Sequence, residues 1–155
     1  MSNNLARLLT ESASRHAERT ALKLDDTVVT YRMLNEGASR VAGLLKNHGL
    51  QRGDRVGIML PNVPYFGVVY YGVLRAGGVV VPMNVLLKPR EVQFYLSDPG
   101  AKHFFAWHEF ARSAEEGARA AGVEAIIVKP GEFEQLLARA PEAPEDAERE
   151  PSTPP

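Results

Sequence analysis

The strongest constraint on the fold is a regular alternation of short apolar segments with amphipathic segments between residues 55 and 139. The amphipathic segments carry apolar residues at helical spacing, which predicts helices, and the clearest run is Phe66, Val69, Tyr70, Val73 and Leu74. Strands joined by helices run parallel, because the chain must cross back over the sheet before each new strand. The pattern predicts an α/β fold of three layers, with a mostly parallel sheet and helices on both faces. The predicted strands are residues 55–60, 79–81, 102–107 and 124–128, and the predicted helices are 63–76, 89–97 with Val92, Tyr95 and Leu96 inward, 109–121 and 132–139.

A hairpin and a longer helix are predicted ahead of this alternation. Residues 21–24 and 27–30 are strand-like and flank the acidic pair 25–26, which suits a tight turn. Residues 31–47 have helical periodicity, and Thr30 is placed to cap that helix. Closer to the N-terminus the spacing predicts one more short amphipathic helix, with a face formed by Leu5, Leu8 and Leu9.

The composition changes abruptly after Ala140. Residues 141–155 read PEAPEDAEREPSTPP, a segment rich in proline and acid that contains no aromatic or large aliphatic side chain. Such a segment buries too little apolar surface to order itself. We therefore expect an α/β domain over residues 1–140 and a linker or disordered tail over residues 141–155.

Charge and cysteine content exclude several classes of protein. Residues 141–155 hold five acids and one base, so the first 140 residues carry +3 of the net charge of −1, and no basic run interleaved with aromatics indicates nucleic-acid binding. The absence of cysteine excludes disulfides, thiolate zinc sites and cysteine nucleophiles. The N-terminal residues lack the apolar core of a signal peptide. The most apolar stretch, 63–74, is shorter than the roughly 20 residues of a spanning helix. We expect a cytoplasmic protein without a transmembrane segment.

The glycines do not form a recognisable nucleotide-binding loop. Residues 72–77 match the glycine spacing of a phosphate-binding loop, but the Lys-Ser/Thr pair that should follow is replaced by Gly78 and Val79. No two glycines stand in a G-x-G arrangement, so a dinucleotide fingerprint is missing. The hypothesis of a flavodoxin-like nucleotide or flavin binder is therefore supported by the strand–helix alternation alone.

The polar residues give no catalytic constellation either. His103 and His108 are five residues apart, which suits neither a helical metal pair nor a general-base pair, so we interpret them as surface or strand-end histidines. The adjacent acids at 25–26 and 115–116 point apart on a helix or strand and are interpreted as solvated charges. The apolar stripe within 63–74 is interpreted as core packing in preference to the wall of a fatty-acid tunnel. We name no catalytic, cofactor-binding or metal-ligating residue.

Several strings in the sequence resemble the opening motifs of the adenylate-forming family, which includes acyl-CoA ligases, luciferases and peptide-synthetase adenylation domains. Residues 30–35 (TYRMLN) resemble the family's TYxEL, residues 53–62 (GDRVGIMLPN) its GDRVAILLPN, and residues 74–84 (LRAGGVVVPMN) its LKAGAVVVPLN. Residues 89–92 and 96–102 resemble ELxxxLxDSGAK. The motifs occur in the family's order and at its spacing.

The resemblance implies a function for a longer parent protein. Asn84, which follows Val-Pro-Met, resembles the asparagine that is usual at this position in acyl-CoA ligases, whereas peptide-synthetase domains have aspartate. Among acyl-CoA ligases, long-chain fatty-acid ligases are the first choice and aryl or short-chain ligases the second. Such a parent uses ATP, Mg²⁺ and CoA. Family members follow the linker with a Ser/Thr/Gly-rich loop that holds ATP, and no such loop stands in this sequence, so no active-site residue carries over. Two departures are local: Met33 replaces the usual Glu of a capping box, and Lys88 the usual Ser/Thr before Pro89.

Two functional hypotheses remain open. The first is the N-terminal part of an ATP-dependent long-chain fatty-acid–CoA ligase, inactive alone, whose partner is the remainder of that ligase. The second is a stand-alone binding or assembly module that keeps the fold without the chemistry. Under the first, we expect the isolated chain to form a homo-oligomer, because uncovered apolar surface favours association.

Overall fold

The computed structural model of the chain describes residues 10–13, 15, 20–24 and 27–140, of which residues 10–13 and 15 are helical. The predicted tail at 141–155, the leucines at positions 5, 8 and 9 and the acids at 25–26 lie outside the described residues. The elements that follow residue 15 are β1 (Thr20–Leu24), β2 (Thr27–Thr30), α1 (Tyr31–Asn47), β3 (Arg55–Met59), α2 (Pro64–Ala76), β4 (Val79–Pro82), α3 (Pro89–Ser97), β5 (His103–Trp107), a 3₁₀ turn (His108–Phe110), α4 (Ala111–Ala121), β6 (Ala125–Val128) and α5 (Glu132–Ala138).

The four strands of the alternating region form one parallel sheet in the order β4-β3-β5-β6. Val56 is paired with Val80 on one side of β3 and with His103 on the other, and Trp107 is paired with Val128. The predicted parallel sheet is confirmed. Its order shows that the chain first crosses from β3 to one side, then returns past β3 to build β5 and β6 on the other.

Helices cover both faces of the sheet, as predicted. Successive residues of a strand point to opposite faces, so Ile58 and Phe105 lie in one core whereas Met59 and Phe104 lie in the other. The first core is closed by α1, α2 and α5, and the second by α3 and α4. The fold therefore has the three predicted layers.

The hairpin and the first long helix are also confirmed. Strands β1 and β2 pair antiparallel, and Val29 of β2 packs with Leu34 and Ala38 of α1. The Thr30 hydroxyl accepts a hydrogen bond of 3.1 Å from the Met33 backbone N–H. With methionine at position 33, the side chain that would complete a capping box is missing, so only half of the motif forms.

The prediction that Tyr95 points inward is wrong, because its side chain is 45% exposed. Val92 and Leu96 are the buried residues of α3. Helix α4 lies on the side of α3 that carries Gln93, whose side-chain amide donates to the Ala120 carbonyl. The buried arc of α3 is therefore shifted towards α4, and Tyr95 falls on the opposite flank.

Within the described part of the chain, no helix combines the length and the apolar character required to cross a bilayer.

Candidate functional site

The carboxyl edge of the sheet is the first place to look for a site. In open α/β sheets, ligands bind beyond the strand ends where successive crossovers turn in opposite directions. The crossover from β3 leads to β4 on one side, and the crossover from β5 leads to β6 on the other. The switch therefore lies between the ends of β3 and β5.

Aromatic side chains pack at this switch. The Tyr65 ring lies 5.9 Å from the ring of Trp107 and 5.9 Å from that of Phe133, measured between centroids. Phe133 also meets Phe105 edge-on at 6.2 Å, and the His108 ring lies edge-on to Trp107 at 4.6 Å. These contacts join α2, β5 and α5 at the edge where a ligand crevice would begin.

Two carboxylates accept hydrogen bonds from the polar groups of this aromatic cluster. The Tyr65 hydroxyl donates to Glu134, and the Trp107 indole N–H donates to Glu109 at 3.0 Å. Burial, followed by the hydrogen bond to Glu134 and its charge, raises the pKa of Tyr65 above its ordinary value of 10.0. Tyr65 therefore keeps its proton at neutral pH and acts as a clamp between α2 and α5.

The turns after β3 and β5 do not fit a nucleotide phosphate. A phosphate site needs free backbone N–H groups at the start of a helix. The turn after β3 contains Pro61, and α2 starts with Pro64, so two of its N–H groups are missing. The turn after β5 places the acid Glu109 in its first turn, which disfavours an anion.

In the turns after β4 and β6 a carboxylate accepts the N–H of the residue that caps the following helix. The Lys88 N–H donates to Glu91 at 2.8 Å, and the Gly131 N–H donates to Glu134 at 2.7 Å. Lys129 is paired with Glu132 at 3.6 Å. These four turns thus contain no glycine-rich loop of the kind that cradles a triphosphate. Nor do residues 10–13, 15, 20–24 and 27–140 bring together three His, Asp or Glu side chains that could hold a metal ion.

The two histidines lie at opposite ends of β5 and do not converge. His103 begins the strand and is 9% exposed, so it is a strand-end histidine but not a surface one. Its Nε2 lies 3.9 Å from Asp54 Oδ2. Burial lowers the pKa of His103 below 6.5, although the Asp54 charge opposes the shift. His108 follows the last residue of the strand.

The other residues weighed in the sequence have structural roles. Glu115 and Glu116 are exposed on α4, as predicted for solvated charges. Gly72 lies inside α2, where an added Cβ would come within 2.4 Å of Val41. This glycine allows α1 and α2 to approach closely and belongs to no phosphate loop.

Sequence reasoning missed the clamp formed by Tyr65 and Glu134. These residues are 69 positions apart, and no local pattern links them. The only available signal was the acid at position 134, three residues after Gly131, which also satisfies the helix N-terminus.

The apolar stripe of α2 divides between the core and the surface. Val69 and Val73 are buried in the core, while Phe66 and Tyr70 are half-buried. The half-buried side faces a groove of about 380 Å³ at the outer edge of the sheet. This edge groove is lined by Phe66, Tyr70 and Leu74 of α2 and by Val79, Val80 and Pro82 of β4.

Comparison with known proteins identifies the family. A family model described as AMP-binding enzyme matches residues 9–155. The chain belongs to the AMP-binding enzyme family. The long-chain-fatty-acid–CoA ligase of Salmonella typhimurium is 35% identical over 126 residues, which are 81% of this chain and 22% of that ligase. This family member therefore spans about a fifth of the length of the curated relatives it matches.

Solved structures show the same fold within larger proteins. The benzoate CoA ligase of Burkholderia xenovorans LB400 matches with a TM-score of 0.84 and 28% identity, over 92% of this chain and 29% of that one. The N-terminal domain of FACL13 from Mycobacterium tuberculosis matches with a TM-score of 0.78 and 29% identity, over 92% of this chain and 38% of that domain. The expected subdomain of the adenylate-forming fold is confirmed.

Proposed function

We propose that this chain is the N-terminal part of an ATP-dependent long-chain fatty-acid–CoA ligase. The observation that carries the proposal is the 35% identity to a long-chain-fatty-acid–CoA ligase over 81% of the chain. The parent joins a fatty acid to ATP as an acyl-adenylate and then transfers the acyl group to the thiol of CoA. Its acyl specificity is proposed as long-chain because that relative carries this activity in its name.

We further propose that the chain alone is inactive. Catalysis of adenylation needs donors and Mg²⁺ around the phosphates. At the four strand–helix turns, Pro61 and Pro64 lack an N–H, Glu109 places an acid in the first turn, and carboxylates occupy the N–H groups of Lys88 and Gly131. ATP, Mg²⁺ and CoA are therefore assigned to the rest of the parent. Residues 27–140 supply the scaffold. The cytoplasmic location of the protein stays a prediction.

A transplant experiment tests the proposal. Residues 1–155 replace the matched N-terminal segment of the Salmonella typhimurium ligase, and the chimera is assayed for fatty-acid-dependent exchange of pyrophosphate into ATP. The ligase lacking the segment sets the background. We expect exchange above that background, because the chain supplies the missing scaffold. A folded chimera that stays at background would contradict the proposal and favour the stand-alone binding or assembly module.

A further inference from the structure

A long-range hydrogen bond holds the end of the segment that carries α5. The guanidinium of Arg40, in α1, donates from Nη1 to the backbone carbonyl of Ala140 at 2.8 Å, across 100 positions of the chain. Ala140 is only 7% exposed, and its own N–H donates to the Leu137 carbonyl at 3.0 Å. Both backbone polar groups of this residue are therefore bonded.

The next residue in the sequence makes this contact directional. Ala140 is followed by a proline, and the residue before a proline is disfavoured in the helical conformation. A peptide carbonyl lies in one plane with the N and Cα atoms of the residue that follows, and proline restricts its own φ to about −65°. The bond from Arg40 to the Ala140 carbonyl therefore orients the chain at the point where it leaves the described domain.

Helix α5 depends on contacts of this kind. It has seven residues, too few to be stable as an isolated helix. Phe133 and Leu137 are buried in the first core, and the Tyr65 hydroxyl of α2 donates to Glu134 near the start of the helix. Within the described residues, Arg40 supplies the side-chain contact at the far end, where the chain continues into residues 141–155.

We propose that Arg40 is a positioning residue, which holds the Ala140 carbonyl and so directs the chain towards the nucleotide-binding part of the parent ligase. This inference rests on the proposed function, which assigns ATP to the part of the parent that follows residue 155. Five of the fifteen residues at 141–155 are proline, and proline-rich linkers are semi-rigid spacers. A direction set at residue 140 is therefore passed on to the segment that follows.

The expected effect is on the KM for MgATP. When the binding-competent arrangement is populated only to a fraction f, the apparent dissociation constant rises by 1/f. Without the bond to Ala140 the chain can leave in other directions, which lowers f. Saturating MgATP restores the competent arrangement, so kcat stays the same. If Arg40 only stabilised the fold, its loss would lower the amount of active enzyme and leave the KM unchanged.

Trypsin tests the anchor in the isolated chain, because Arg139 is exposed and directly precedes the buried Ala140. Arg40→Met keeps the aliphatic part of the side chain and removes the donors, whereas Arg40→Lys keeps a charged donor. Cleavage after Arg139 should be at least about fivefold faster in Arg40→Met, since a held peptide bond is cut only when the segment opens locally. It should be close to the wild-type rate in Arg40→Lys.

A second cleavage site in the same digest is the internal control. Cleavage after Arg149, followed by mass spectrometry, should have the same rate in every variant, because this bond lies nine residues beyond Ala140. Equal rates after Arg139 in the wild type and Arg40→Met would overturn the anchor and the proposal with it. If Arg40→Met does not fold, Arg40→Gln takes its place and is judged by the same outcomes.

Pyrophosphate exchange by the chimera with the Salmonella typhimurium ligase tests the positioning role. Arg40→Met should raise the KM for MgATP at least about threefold with kcat unchanged, and Arg40→Lys should restore it. The control Arg112→Ala, at an exposed position of α4, should match the wild type. An unchanged KM in an active Arg40→Met chimera would overturn the positioning role and leave the proposed function intact. Exchange at background in the wild-type chimera would contradict the proposed function, and the positioning role would fall with it.

Discussion

The guanidinium of Arg75 in α2 donates to both the backbone carbonyl and the side-chain oxygen of Asn35 in α1, at 3.2 and 2.5 Å. The same group reaches the Thr10 hydroxyl at 2.9 Å, and Arg75 is fully buried. A buried arginine is costly unless its N–H groups are bonded. Here those bonds connect two long helices to the helical segment at residues 10–13.

Replacing Arg75 should therefore destabilise the fold. Arg75→Ala removes the buried aliphatic part of the side chain and leaves the oxygens of Asn35 and Thr10 without their donor. We therefore expect a loss of about 3 kcal/mol in the free energy of unfolding. Urea unfolding measures it. The control Arg112→Ala, at an exposed position of α4, should change stability by no more than about 0.5 kcal/mol. Equal effects of the two substitutions would contradict the role given to Arg75.

Gly72 should not tolerate a methyl group. An alanine Cβ there would lie 2.4 Å from Val41 and 3.1 Å from the Ala38 carbonyl, which forces α1 and α2 apart. Although alanine favours helices by about 1 kcal/mol over glycine, Gly72→Ala should lower stability by about 1–3 kcal/mol. Gly37→Ala is the matched control, because its Cβ meets only the Val68 side chain, at 2.9 Å. Thermal unfolding should show the smaller loss for Gly37, and the reverse order would contradict the packing account.

Stability should fall below pH 6.5 because of His103. Burial lowers the pKa of His103 in the folded chain, so the unfolded chain binds that proton first as the pH falls. The contribution of neutral His103 is thus fully present above pH 6.5 and is lost as the pH drops towards the folded pKa. Asp54 is the acid that faces His103, while His48 and Lys102 oppose its protonation.

The comparison is urea unfolding of the wild type and His103→Gln at pH 7.5 and pH 5.5. The wild type should lose more stability between these values than His103→Gln does. Equal losses would mean that His103 does not contribute to the pH dependence.

The isolated chain should self-associate. The described residues expose several large apolar side chains, namely Met33, Val79, Leu86, Phe94 and Tyr95. Each 100 Å² of apolar surface removed from water contributes roughly 2.5 kcal/mol, more than the ~0–1 kcal/mol of an exposed ion pair. Sedimentation at micromolar concentration should show a homo-oligomer in both low and high salt. A monomer in both conditions would favour the stand-alone module.

The sequence predicted local features well and long-range ones poorly. The parallel sheet followed from periodicity, because each strand and helix is recognisable within its own segment. The order β4-β3-β5-β6 could not be predicted in this way, because periodicity does not indicate on which side of β3 each new strand is placed. The outward position of Tyr95 depends on α4, and the clamp between Tyr65 and Glu134 joins helices far apart in the chain. No local pattern contains these contacts.

The prediction that no catalytic residue lies in the chain has not been tested directly. It came from the absence of a phosphate loop in the sequence, and the turns of the sheet now give a physical reason for it. Pro61 and Pro64 lack donors, while Glu91 and Glu134 occupy the donors at Lys88 and Gly131.

The most direct test of the account is ATP binding by the isolated chain. Isothermal titration with MgATP, followed by a pyrophosphate-exchange assay with a long-chain fatty acid, addresses the claim that residues 1–155 are scaffold and carry no nucleotide site. We predict no binding heat and exchange at background, while the chimera with the Salmonella typhimurium ligase exchanges pyrophosphate. Saturable MgATP binding or exchange above background by the isolated chain would contradict the account.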